Sequence, residues 1–185
     1  MTKWTDRFTT RDRGFEELLK EINQFTADSN DLDSYYELIL NQFTETFQTK
    51  SVGLFLKQKA ALRFHLSARS GLAVNDMQFD LQHPLPVYLD RNPAPLFATD
   101  FNILAQFRAL WETETLGLQQ LKAELFLPMK AEGELIGIMA IGPKKSGATY
   151  TIKEQHQMTL LANQAALVIG YKHARTSEMR WREEA

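Results

Sequence analysis

Hydrophobic positions change period several times along this chain, and each change predicts an element. Phe15, Leu18, Leu19, Ile22 and Phe25 recur at helical spacing with Glu17, Lys20, Glu21 and Gln24 on the opposite side, which predicts a one-faced amphipathic helix. Leu32, Tyr35, Tyr36, Ile39, Phe43 and Phe47 repeat the pattern to about Gln48, and the Ser34-x-x-Glu37 spacing offers a capping box near its start. Period 2 then takes over. Val52, Leu54 and Leu56 alternate with Gly53 and Phe55, and Leu62, Phe64, Leu66 and Ala68 alternate with Arg63, His65, Ser67 and Arg69. These runs predict two strands joined near Lys57 to Ala60, and a shorter strand around Met77 to Leu81 after the Ser70-Gly71 turn.

Pro84, Pro86, Pro93 and Pro95 interrupt the pattern, because fixed φ and missing N–H groups oppose a central strand or a long helix. The segment predicts a short helix around Leu85 to Asp90 and an edge strand at Leu96 to Ala98. Asn102 to Lys122 is helical in pattern, with a break expected near Gly117. Leu125, Leu127 and Met129 alternate with Phe126, Pro128 and Lys130, and a second run goes from Leu135 to Ile141 across a short link holding Gly133. Such a link predicts a hairpin. Thr151 and Glu154 are spaced as a capping box, so a helix should begin at Ile152.

The stretch from Leu127 to Ile169 carries more than secondary structure. Gly133, Leu135-Ile136-Gly137, the Gly142-x-Lys144-x-Ser146-Gly147 loop, Tyr150 and Leu161-Ala162-Asn163-Gln164-Ala165-Ala166 together resemble the C-terminal half of GAF domains, particularly those upstream of histidine kinase or diguanylate cyclase output domains. The resemblance covers roughly Gly14 to Ala174 and is weakest between Gly71 and Lys122. It implies an α+β fold: a GAF-like, PAS-related central antiparallel sheet of about five or six strands, terminal helices on one face, and a pocket roofed by short helices and loops on the other. Residues 1–13 would be an N-terminal extension, 14–174 the domain, and 175–185 a linker helix toward a fused or associated output domain.

The last predicted helix has two apolar sides. Met158, Leu161, Ala162, Ala165, Val168 and Ile169 lie on one, and Leu160, Leu167, Tyr171 and Ala174 on the other. A second stripe needs its own partner, and the heptad spacing of Leu160, Leu167, Ala174 and Trp181 suits a seam between helices. The resemblance implies a parallel homodimer in which this helix and the Phe15 to Phe25 helix form a four-helix bundle, with Phe15, Leu18, Leu160, Leu167, Tyr171 and Ala174 at the interface. The alternative is that the first helix covers the second stripe within one protomer.

Composition removes several function classes. The chain has 185 residues and 44% hydrophobic side chains, enough for one domain that buries about 70% of its unfolded surface. It has no cysteine, which rules out disulfides, thiolate metal sites and thiol nucleophiles. A thioether-linked bilin and the cysteine-based reduction of free methionine sulfoxide, both roles of GAF-like proteins, therefore cannot occur. A formal charge of −2 with dispersed Lys and Arg gives no stripe for a nucleic-acid backbone. The N-terminus lacks a signal-peptide core and the longest apolar run is too short for a bilayer, so a cytoplasmic protein with no membrane partner is expected.

Candidate chemistry is sparse. His65, His83, His156 and His173 show no metal-ligand spacing, and no metal is expected. A haem is not expected either, although His65 would be its axial ligand. Proline follows the second glycine of Gly137-Ile138-Met139-Ala140-Ile141-Gly142-Pro143-Lys144, where a phosphate loop needs lysine. No nucleophile elbow or paired carboxylates suggest an enzyme. The cyclic-nucleotide motif of some GAF domains, Asn-Lys-Phe-Asp-Glu, is met only by Asn75-Asp76-Met77-Gln78-Phe79-Asp80, which lacks its lysine and glutamate. Ligand recognition is expected from Tyr88, Asp100, Arg108 and Trp111 in the middle segment, above a floor of His65, Phe79, Phe126 and Ile138. Arg108 would hold an anionic group, and Trp111 or Tyr88 would stack on a ring. The reading is a non-catalytic small-molecule sensor. Its rival is a structural dimerisation module with a filled pocket.

Overall fold

The structure, a computed structural model, describes residues 14–22, 24, 31–108, 110 and 112–183, with backbone alone for 112–113 and 175–183. Helix α1 (14–22) and α2 (Leu32–Phe47) precede strands β1 (Val52–Gln58), β2 (Arg63–Ser70) and β3 (Gln78–Asp80). The middle segment forms α3 (Pro84–Arg91), β4 (Leu96–Phe97), a 3₁₀ turn (Ala98–Asn102), α4 (Ala105–Arg108) and α5 (Glu112–Gln120). Strands β5 (Leu125–Ala131) and β6 (Glu134–Ile141) lead into α6 (Ile152–Glu183). The strands make one antiparallel sheet in the order β3-β2-β1-β6-β5-β4.

Strand alternation divides the core between the two sheet faces. Val52, Leu54, Leu56, Leu125, Leu127, Met129, Met139 and Ile141 face α1, α2 and α6. Phe55, Phe64, Leu66, Phe126, Leu135, Ile138 and Ala140 face the middle segment. Both faces are covered, which is why positions between the helix-side residues, such as Phe55, Phe126 and Ile138, are apolar as well.

Helix boundaries follow local chemistry, with two departures from the sequence reading. Asp31, not Ser34, caps α2: its carboxylate accepts from the Asp33 N–H at 3.1 Å and from the Ser34 hydroxyl, which puts Ser34 in the first turn. Gly117 lies inside α5, and the breaks fall at Ile103–Leu104 and at Leu110 instead. Leu104 and Phe107 from one short turn, and Leu118 from α5, are drawn into the sheet-facing core, so tertiary packing overrides the single long period. By contrast, α6 starts at Ile152 as expected. Glu154 accepts from the Thr151 N–H at 2.8 Å while Thr151 Oγ1 accepts from the Glu154 N–H at 3.2 Å.

A dense latch fastens the start of α6 to the start of the sheet. Gly142 O accepts from Thr49 Oγ1 at 3.1 Å and from Tyr150 Oη at 2.7 Å, and Pro143 O accepts from the Lys50 N–H at 2.8 Å. Lys144 Nζ donates to both Glu154 oxygens at 2.7 Å and lies 5.3 Å from the Tyr150 ring centre. A Cβ on Gly142 would sit 2.1 Å from Ser51 Oγ and 3.2 Å from Ser51 O, so any larger residue there would have to displace Ser51. The β5–β6 hairpin turns on Glu132 and Gly133, at φ 51° and 82°, as a tight turn of this hand demands. Pro128 lies beyond the end of the two-residue β4, where β5 is paired only with β6.

Candidate functional site

The residues expected to bind a ligand fall into three environments. Phe79, Phe126 and Ile138 are 3%, 1% and 0% exposed, within the roof-side core. Aromatic rings fill that interior. Phe101 stacks on Phe107 at 4.5 Å and on Phe126 at 5.5 Å, half-buried Tyr88 approaches Phe107 at 6.1 Å, and Phe55 meets Phe79 at 5.0 Å. The expected open floor is therefore a packed layer of side chains.

His65 is on the other face. It pairs in register with Leu56, a helix-side residue, and its Nε2 lies 3.2 Å from the Asp76 carboxylate. A register shift between Leu54 and Phe55 sets this alternation, because one extra residue in a strand inverts the facing of those beyond it. Asp100 accepts the Phe97 N–H at 3.3 Å and serves its own 3₁₀ turn. Arg108 is exposed at the end of α4. Trp111 lies outside the described residues.

Open space is found instead beside α3. A cleft of about 570 Å³ runs between this helix and the ends of β1, β2 and the β5–β6 hairpin, within the usual range for small-molecule sites. Phe64, Leu81, Leu135, Pro86 and Val87 give it apolar walls, and Lys57, Asp90, Arg91, Glu132 and Glu134 give it a charged rim. Lys57 and Glu134 form an ion pair at 2.8 Å, and this hydrogen bond holds the Glu134 carboxyl below its usual pKa. The cleft thus joins an oily floor to fixed charges of both signs, an arrangement that suits a small amphipathic molecule.

A second hollow of about 320 Å³ is lined by Met77, Phe79, Asp80, His83, Glu114 and Gly117. His83 caps α3: its Nδ1 accepts from the Leu85 N–H at 3.1 Å, so the proton of the neutral ring is on Nε2. Burial pushes its pKa down, against the pull of Glu114 and Asp80. Among the described residues no group of His, Asp and Glu is placed to hold a metal ion.

Sequence reasoning missed Lys57, Arg91 and the Glu132–Glu134 turn. The strand order brings these separate segments to one end of the sheet, and the one local signal was the clustered prolines that fix α3 and its cap.

Of the residues expected at a dimer interface, Leu18 is 5% exposed and lies in the protomer's own core, with Phe15 packed against it. Helix α1 docks within its own chain, where Glu21 accepts from Gln42 Nε2 at 3.1 Å, so Leu18 has little surface left for a partner. Leu160, Leu167 and Tyr171 are 44%, 46% and 58% exposed along the far side of α6, and Ala174 is exposed beyond them. Phe25 and the Trp181 side chain lie outside the described residues. No helix among the described residues is long and apolar enough to cross a membrane.

Comparisons with known proteins agree with this architecture. A search of curated proteins finds no match. Among solved structures, the GAF domain of a phosphoenolpyruvate-protein phosphotransferase from Coxiella burnetii superposes with a TM-score of 0.66 at 18% identity, covering 88% of this chain and 96% of that one. Residues 122 to 287 of a methyl-accepting chemotaxis protein give 0.65 at 16% identity, covering 85% and 97%. A GAF domain/HD domain protein from Geobacter sulfurreducens gives 0.64 at 17% identity, covering 78% and 95%. At these identities the likeness concerns the fold. The sequence model of the GAF domain matches residues 29–170, and with most of its length so matched, the chain belongs to the GAF domain family.

Proposed function

We propose that this GAF domain is a non-catalytic regulatory module that senses a small molecule in the α3 cleft and passes its state through α6 to an output domain. The observation that carries this reading is the cleft itself, about 570 Å³ with apolar walls and a rim of both charges, on the sheet face opposite the long helix. The chemotaxis protein and the HD-domain protein among the structural neighbours support a signalling context. The exposed Leu160, Leu167 and Tyr171 stripe supports a homodimer built on α6, in the cytoplasm. Sensing requires that the ligand bind two arrangements of the helix with different free energy, since equal binding would shift nothing.

Native and denaturing mass spectra of freshly purified protein, followed by thermal unfolding across a metabolite panel, test this reading. A non-covalent adduct, or a compound that raises Tm and loses its effect on Arg91→Ala, is the expected result. A second reading is favoured by the ring-filled roof interior: a structural dimerisation module with no ligand. Unchanged Tm across the panel, with dimers intact, would establish it in place of the first.

A further inference from the structure

One residue touches both the cleft wall and the long helix. Lys130 lies on β5 where the β5–β6 register shifts between Met129 and Lys130. Its backbone N–H donates to Asn163 Oδ1 of α6 at 3.2 Å. Its Nζ donates to Asp90 O, in the last turn of α3, at 2.5 Å, where a cation also suits the helix dipole. Asp90 and Arg91 stand on one side of the cleft rim, and Glu132 to Leu135, which follow Lys130 through the hairpin turn, line the cleft on another. A single residue thus connects elements packed on opposite faces of the sheet.

We propose that Lys130 is the joint that couples the α3 cleft to α6. This rests on the reading of the cleft as a sensory site and gives it a route to the helix. Alternate N–H groups of an antiparallel strand point to its two sides, and past the two-residue β4 the side of β5 away from β6 has no strand to accept them, so this N–H is given to a helix side chain. A movement of the α3 C-terminus pulls on the Lys130 side chain, and the backbone carries that displacement to Asn163. The helix has little slack to absorb it. Ala162, Ala165 and Ala166 are buried around Asn163, and a Cβ on Gly170 would lie 3.4 Å from Ala131 Cβ and 3.7 Å from Ile136 Cδ1. Small residues let the helix backbone sit close to the strands, so a shift in the hairpin meets the helix directly.

The alternative is that Lys130 makes two unrelated local bonds. A thermodynamic cycle separates the two cases without any ligand. Asn92→Ala loosens the α3 end, because Asn92 Nδ2 donates to Tyr88 O at 2.8 Å, and Asn163→Ala removes the helix contact. Changes at separated sites with no shared partner ordinarily add. Urea unfolding of the full chain is expected to show the double variant departing at least about fivefold, in unfolding constant, from the product of the singles. In Lys130→Met the same cycle should be additive, and Lys130→Arg should restore the coupling. Hydrogen exchange gives the second reading: Asn92→Ala should speed exchange of α6 amides around Asn163 with Lys130 present, and leave them unchanged in Lys130→Met. Additivity with Lys130 in place, or the same α6 response in Lys130→Met, would overturn the joint. Neither result bears on whether a compound binds the cleft, which the thermal panel decides separately.

Discussion

The two faces of the sheet are built from the same strands but stabilised differently. On the helix side, two long helices lay Tyr35, Ile39, Phe43, Leu161, Ala165 and Ile169 on the strands, each 0% exposed. On the roof side, short turns held by individual caps at His83, Asn92 and Asp100 present aromatic rings, several only half-buried. Helix length supplies continuous burial, and short capped turns supply surfaces that can rearrange at low cost. The difference places rigidity beneath α6 and adaptability around the cleft.

The largest test of this contrast compares one ring from each side. Phe43→Ala should cost about 3–5 kcal/mol by urea denaturation, as for fully buried aromatic residues. Phe101→Ala, from a half-buried ring, should cost about 1–2 kcal/mol because less apolar area leaves the core. Equal losses would break the comparison.

Next in size is the latch at the start of α6. Lys144→Met should cost roughly 1–3 kcal/mol, since Glu154, whose side chain is 18% exposed, is left without its cation. Burial acts to raise the Glu154 pKa, but the hydrogen bonds from Lys144 and Thr151 outweigh it and hold the pKa below 4.5. The carboxylate's contribution is therefore complete above pH 4.5 and lost as pH falls through the lowered value. Unfolding curves should show this acid-dependent part shrinking in Lys144→Met.

A smaller effect on the roof side depends on pH. His83 titrates below its ordinary 6.5, mainly through burial. The unfolded chain then binds protons first, so stability is complete above 6.5 and declines as pH falls from there toward the folded value. His83→Asn keeps a cap acceptor and should remove this decline, read by hydrogen exchange in α3.

The smallest expected change in stability is at Leu160. Leu160→Glu should alter protomer stability by no more than about 0.5 kcal/mol while converting the dimer proposed above to monomers in sedimentation. A large loss of protomer stability would mean that this face of α6 belongs to the core.

The sheet and its helices were legible where the signal is local. The period-2 runs of β1, β2, β5 and β6 and the Thr151–Glu154 cap of α6 are carried by neighbouring residues. The candidate binding region was not, because it depends on facing and strand order. His65 was expected on the pocket floor, yet the bulged β1–β2 register turns it to the helix side. Phe79 and Phe126 read equally as pocket lining or packing, and only the positions of Phe55 and Phe101 decide for packing. Arg91 is one charge among many until α3 and the hairpin are brought together.

The latch also constrains how the chain reaches its native state. Thr49 and Gly142, which it joins, are 93 residues apart in sequence, and β1 and β6, the central pair of the sheet, come from the same two regions. Closing so long a loop carries an entropic cost that local hairpins do not share. The β1–β2 and β5–β6 hairpins can form early and alone, whereas the central seam must wait for the chain's distant halves to meet. Helix α6 is therefore anchored by the same long-range closure that pairs β1 with β6, among the last steps of folding.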